Sequence, residues 1–172
     1  LLDQWLWGSW EPGFHMTNIV LHSLASTLAA YAGFVLARSA RAALLCGLLF
    51  AVHPVHVEVV AVFSYRKDIL AMIFGLLALV LWLHTRRQWL CYLASLFSFG
   101  LGLLSKEVAA VGFIPVLFLA DLLPGHQHPA QWTRRLRRGV WRILPIVVLG
   151  IIATTAFAGN LLNYFTPQSI QH

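Results

Sequence analysis

The stretch AALLCGLLFAVHPVHVEVVAVFSYRKDILAMIFGLLALVLWLH, residues 42–84, decides the fold. Two apolar runs, 42–63 and 69–84, flank a short polar joint that contains Arg66, Lys67 and Asp68. Crossing a bilayer core takes roughly 17–25 apolar residues, so this is the pattern of two helices that enter and leave a membrane. His53, Pro54, His56 and Glu58 crowd toward the joint. Pro54 has no amide hydrogen and breaks or restarts a helix, which frees backbone groups that only a polar cavity or neighbouring helices can satisfy.

The same pattern extends in both directions. Six spans are expected, at residues 16–37, 42–63, 69–84, 89–104, 108–123 and 141–159, the third to fifth of them short. Apolar residues make up 59% of the 172 and charged residues 10%, with a mean hydropathy of +0.76. A soluble domain carries about 45–50% apolar and about 25% charged residues. The expectation is an all-α polytopic transmembrane bundle with no separate soluble domain. Residue 1 is Leu, with no basic n-region or cleavage site after it, so the chain reads as a fragment without a signal peptide.

The net charge of +6 invites a nucleic-acid reading, but nine of the twelve Lys and Arg residues border apolar runs. Arg38 and Arg41, Arg86 and Arg87, and the group from Arg134 to Arg142 all fall on one side when the spans alternate. The positive-inside rule makes that side cytoplasmic. The lipid bilayer is the expected partner, and nucleic acid is not. Every acidic residue except Asp121 then falls on the other side, together with Arg66, Lys67 and Lys106. Trp5, Trp7 and Trp10 precede the first span as an aromatic belt would. Cys46 and Cys91 lie inside apolar runs and are expected to be small buried hydrophobes, not a disulfide.

Ionisable groups at membrane depth are rare and face protein or water, which makes the joint the leading functional candidate. As a metal site, the H-x-x-H-x-E of His53, His56 and Glu58 is weak. At about 100° per residue the carboxylate points away from the imidazole pair, so no metal is expected. As an anion site, Arg66 and Lys67 hold a phosphate while Glu58 and the histidines orient its partners. The plainer alternative pairs Arg66 with Glu58 or Asp68 and bonds the histidines to backbone. Ser105-Lys106-Glu107 is a second cluster on the same side, in which Ser105 caps a helix, Glu107 complements its positive end and Lys106 is left unexplained. His15, Asn18 and His22 recur at i, i+3 and i+7 and form one polar stripe, most simply an interhelical hydrogen-bonding face. Thr17 or Asn18, Asp68 and Ser105 are each placed to cap a following helix. No phosphate-binding glycine loop, dinucleotide fingerprint, nucleophile elbow or CxxC is present.

Taken together, Trp7-Gly8, Pro12-Gly13-Phe14-His15, Asn18, Leu21-His22, HPVHVEVVA at 53–61, RKD at 66–68, LLSKE at 103–107 and Leu119-Ala120-Asp121 resemble one family. It is the transmembrane and tetratricopeptide-repeat-containing O-mannosyltransferase family of the GT-C glycosyltransferases, and the resemblance runs to about residue 125. It implies a multi-span enzyme that moves a sugar, commonly mannose, from a polyprenyl-phosphate carrier to a protein or glycan hydroxyl on the outer or lumenal face. The membrane is then a bacterial inner membrane or that of the endoplasmic reticulum. The resemblance further implies that the main catalytic carboxylate belongs to an outer loop upstream of this chain, so that the chain alone is inactive, and that the repeats lie downstream. Polyprenyl phosphate is a good leaving group, so cations matter more than an acid. Arg66, Lys67 and Lys106 are the candidates for the donor phosphate, with Glu58 and Glu107 as local candidates for the base. His53, His56, Asp68, His15 and Asn18 are the orienting candidates. The donor lipid is a substrate, and no cofactor is implied with certainty. A transporter or flippase would continue its polar trail through the bilayer, whereas the middles of spans two to six are apolar. An inert scaffold is the third alternative.

Overall fold

The computed structural model describes residues 5, 7–8, 10–61, 65–84, 89–106, 109–122 and 132–165, and among them every regular element is helical. In chain order these are α1 (Glu11–Ala37), α2 (Ala40–Val52), α3 (Pro54–Ala61), α4 (Arg66–His84), α5 (Trp89–Ser105), α6 (Ala109–Leu122) and α7 (Trp132–Phe165). Among the described residues three stretches are long and apolar enough to cross a membrane: α1, α4 and residues Gly139–Ala156 of α7. Half of the α4 span is buried, against 17% and 22% for the other two, so α4 is the central post.

The stretch expected as one span over 42–63 folds as two helices. His53 takes an extended conformation (φ −64°, ψ 127°) between α2 and α3. A following proline disfavours the helical region for the residue before it, and proline itself suits a first helical position. The His53 imidazole reinforces the restart, its Nδ1 accepting from the Val55 amide at 3.3 Å. At eight residues and about 12 Å, α3 is too short to span a membrane.

Small residues set the helix spacing, as expected where lipid removes the hydrophobic drive between helices. A methyl group at Gly33 would stand 2.8 Å from Cys46 Sγ, and one at Gly47 would stand 2.9 Å from Ala30 Cβ, so α1 and α2 pack closely. Cys46 is free and exposed, contrary to the expectation of burial, although its sulfur lies close to Gly33. Buried Ser95 donates to the Ala78 carbonyl at 2.8 Å and joins α5 to α4. The ring of Phe113 on α6 fills the space left by Gly75 of α4. On the outside, Leu44, Leu45, Leu48, Leu49 and Val52 of α2 are all more than half exposed. An apolar face of that extent is a lipid-facing surface. Hydroxyls on exposed helix faces bond back to their own backbone, as Ser23 does to the Ile19 carbonyl and Thr27 to that of Ser23, both at 2.8 Å.

The expected helix caps are placed differently: Asp68 lies inside the first turn of α4, which begins at Arg66, and the other two also fall elsewhere. α1 begins at Glu11 after Trp10, with a proline in its first turn, so Thr17 and Asn18 sit inside the helix and make other bonds. Ser105 closes α5, its hydroxyl donating to the Leu101 carbonyl at 3.0 Å.

Candidate functional site

The break at His53 turns α3 toward the start of α4, and this brings the polar residues of the joint to one end of the bundle. Asn18, fully buried on α1, organises that end. Its Oδ1 accepts from Arg66 Nε at 3.0 Å and its Nδ2 donates to the Val60 carbonyl at 3.2 Å. Arg66 also donates from Nη2 to the Phe14 carbonyl at 3.2 Å. One carboxamide therefore ties α1, α3 and α4 together, and the guanidinium is engaged in holding them.

His22, one turn further along α1, reaches within 3.2 Å of the Ala51 carbonyl through Nε2. A carbonyl only accepts, which assigns the proton to Nε2. Phe50 stacks on His56 with ring centroids 4.1 Å apart and on His22 at 5.8 Å. His53 lies 5.5 Å from His56. Burial pushes His56 below the ordinary imidazole value, and the nearby His53 and His22 add to the effect. Among the described residues no three His, Cys, Asp or Glu side chains converge as metal ligands.

Lys106, just beyond α5, makes an ion pair with Oδ1 of Asp68 in the first turn of α4. Asp68 and Lys106 both face a cavity of about 430 Å³, which lies in the usual size range of ligand sites. Its polar lining also includes His22, His56, Glu58 and Tyr65, and its apolar lining includes Phe50, Met72 and Phe113.

The structure thus brings Glu58, His56, Asp68 and Lys106 to one cavity. His53 caps α3, and Asn18 and Arg66 tie together helices that contribute to the lining, without being part of it themselves. Lys67 is exposed and outside the lining, and His15 is half-buried on α1, also outside it. Glu107 lies outside the described residues. The aromatic wall of Phe50 and Phe113 carries no signal in a single sequence, because each is one apolar residue within an apolar run.

Residues 13–158 match the model of the family described as dolichyl-phosphate-mannose-protein mannosyltransferase. This chain belongs to that family. Among curated relatives, protein O-mannosyl-transferase Tmtc2 of Drosophila melanogaster is 37% identical over 133 residues, covering 72% of this chain and 14% of that protein. Protein O-mannosyl-transferase F38B6.6 of Caenorhabditis elegans is 35% identical over 134 residues, covering 72% of the chain and 18% of that protein. Protein O-mannosyl-transferase TMTC4 of Homo sapiens is 41% identical over 91 residues, covering 45% and 12%. The chain therefore spans less than a fifth of the length of these relatives. No solved structure matches it. As a mannosyltransferase-family membrane segment, the chain is an all-α, multi-pass helical bundle, in agreement with its apolar spans.

Proposed function

We propose that this chain is part of the membrane core of a protein O-mannosyltransferase, and that the cavity bounded by α1, α3, α4 and Lys106 receives the polyprenyl-phosphate sugar donor. The observation that carries this reading is one cavity with a cation and two carboxylates among otherwise largely apolar walls, in a member of this family. The apolar part, with Met72 and Phe113, suits the first isoprenoid units of the carrier. Lys106 suits the phosphate. As the acceptor oxygen bonds to the anomeric carbon, the bond from that carbon to the phosphate oxygen breaks and the phosphate departs with the electron pair. A preorganised ammonium stabilises the charge that develops there. The acceptor hydroxyl gives its proton to a carboxylate, for which Glu58 is the local candidate beside any carboxylate supplied from outside this chain.

The phosphate role falls mainly to Lys106 among the three basic candidates. Arg66 is engaged with Asn18 and the Phe14 carbonyl, which makes it a positioning residue. Lys67 is exposed and outside the lining, and suits a headgroup at the membrane surface. By the distribution of basic loops the cavity opens on the non-cytoplasmic side, which for relatives of animal origin is the lumen of the endoplasmic reticulum.

The test is transfer of mannose from dolichyl phosphate mannose to a peptide hydroxyl by the intact natural protein. Lys106→Ala is expected to abolish transfer while expression and membrane insertion are kept. Undiminished turnover refutes the phosphate assignment, and accessibility mapping that places residues 65–68 in the cytoplasm refutes the topology.

A further inference from the structure

Asp68 has more to do than its place at the start of α4 requires. Its Oδ1 takes the Lys106 ammonium, but its Oδ2 is buried and has no hydrogen-bond partner among the described residues. Buried polar atoms are nearly always satisfied, and an exception calls for a partner that arrives with function. The other cavity groups differ in this respect. His22 is bonded to the Ala51 carbonyl, and Glu58 is exposed to solvent.

The chemistry of a polyprenyl-phosphate sugar leaves one part of it able to satisfy this oxygen. The isoprenoid chain has no donor. The phosphate is acceptor-only and shares the negative charge of Asp68, so it is repelled. The sugar hydroxyls are the donors. Lys106 resolves the order along the cavity, because an ammonium has three N–H donors and the Asp68 pair occupies one of them. The remaining two are free to hold a phosphate oxygen without breaking the pair.

We infer that Asp68 is the sugar-reading residue of this site, its Oδ2 accepting a hydrogen bond from a hydroxyl of the donor sugar while Lys106, held by Oδ1, bears the adjoining phosphate. This rests on the donor-site reading above and adds to it which end of the donor each residue recognises. Asp68 thereby becomes a determinant of sugar selection, distinct from the carboxylate that serves as base.

The experiment measures binding of dolichyl phosphate and of dolichyl phosphate mannose to the intact protein in phospholipid nanodiscs, for the wild type, Asp68→Asn and Lys106→Gln. A hydrogen bond to a charged group is worth about 10- to 100-fold in affinity. The wild type is expected to prefer the mannosyl lipid by a factor of that order. Asp68→Asn presents an amide donor where the acceptor stood, and is expected to lose that preference while still binding dolichyl phosphate. Lys106→Gln is expected to weaken both lipids together. If both bind but the preference survives Asp68→Asn, the sugar-reading role is overturned and the donor site stands. If neither lipid binds the wild type, the donor site falls and this inference with it. A second series keeps the question open to refutation should Asp68→Asn fail to fold. Dolichyl phosphate carrying singly deoxygenated mannose is offered to the wild type, one hydroxyl removed at a time. One analogue is expected to lose about tenfold or more in affinity; equal binding of all of them overturns the role.

Discussion

The two ends of this bundle use their polar side chains in opposite ways. At the end where α4 stops, Arg142 lies over the ring of Trp82 at 4.3 Å, Tyr92 donates to the Arg142 carbonyl at 3.0 Å, and Tyr31 stacks on His84 with the rings 4° from parallel. The Arg142 cation there is matched with an aromatic face. At the end where α4 begins, an ion pair, two histidines and a carboxylate line a cavity, and one carboxylate oxygen is left waiting. The same kinds of residue close one end and open the other. The difference lies in whether a large aromatic ring is available to cover the charge.

If the comparison is right, the two ends separate stability from binding. Trp82 is 1% exposed and among the largest fully buried side chains. Trp82→Ala is expected to cost about 3–5 kcal/mol, read as a lowered thermal midpoint in detergent, with donor-lipid affinity unchanged in the protein that remains folded. Loss of lipid binding in step with a small loss of stability would show that the ends are coupled.

Asn18 sharpens the comparison from the open end, because it bonds to α3 and α4 there without lining the cavity. Asn18→Ala removes the acceptor for Arg66 Nε and the donor to the Val60 carbonyl, leaving buried polar groups without those partners. About 2–4 kcal/mol of stability should be lost. Asn18→Asp offers the guanidinium a carboxylate and is expected to recover part of it. A neutral Asn18→Ala would mean that these bonds do not hold the open end together.

Much of this architecture was legible from periodicity and charge. The polar stripe at His15, Asn18 and His22 was expected as a bonded interhelical face, and Asn18 and His22 do bond across helices. Pro54 marked the helix break, although the length of the apolar run still suggested a single span through it. What stayed hidden depends on contacts distant in the chain. Asp68 has a sufficient local explanation as an acidic residue in a first helical turn, and Lys106 had none. Only the packing of α5 along α4 shows that each answers the other across 38 positions. For Arg66 the nearby sequence offers a phosphate or a pair with Glu58 or Asp68, whereas its partner, Asn18, lies 48 residues upstream. The small residues at Gly33, Gly47 and Gly75 were unremarked within apolar runs, yet they set how closely the helices approach.

The smallest effect concerns protons. His56 lies on α3, outside the spanning helices, and its folded-state affinity for a proton is reduced first by burial and then by His53 and His22. A group whose folded pKa is lowered from 6.5 binds fewer protons folded than unfolded below that value. Stability then rises with pH through the window from the lowered value up to 6.5 and is lost as pH falls back through it. His56 and the Phe50 ring stacked on it belong to the open end, which is where the acid sensitivity is expected. The thermal midpoint of the wild type is expected to drop between pH 7 and pH 5, and His56→Phe, which keeps a ring against Phe50, should flatten that drop. An equal drop in the variant would move the sensitivity away from the stacked histidines. A drop removed instead by His84→Phe would place it at the end that the aromatic rings were argued to have closed.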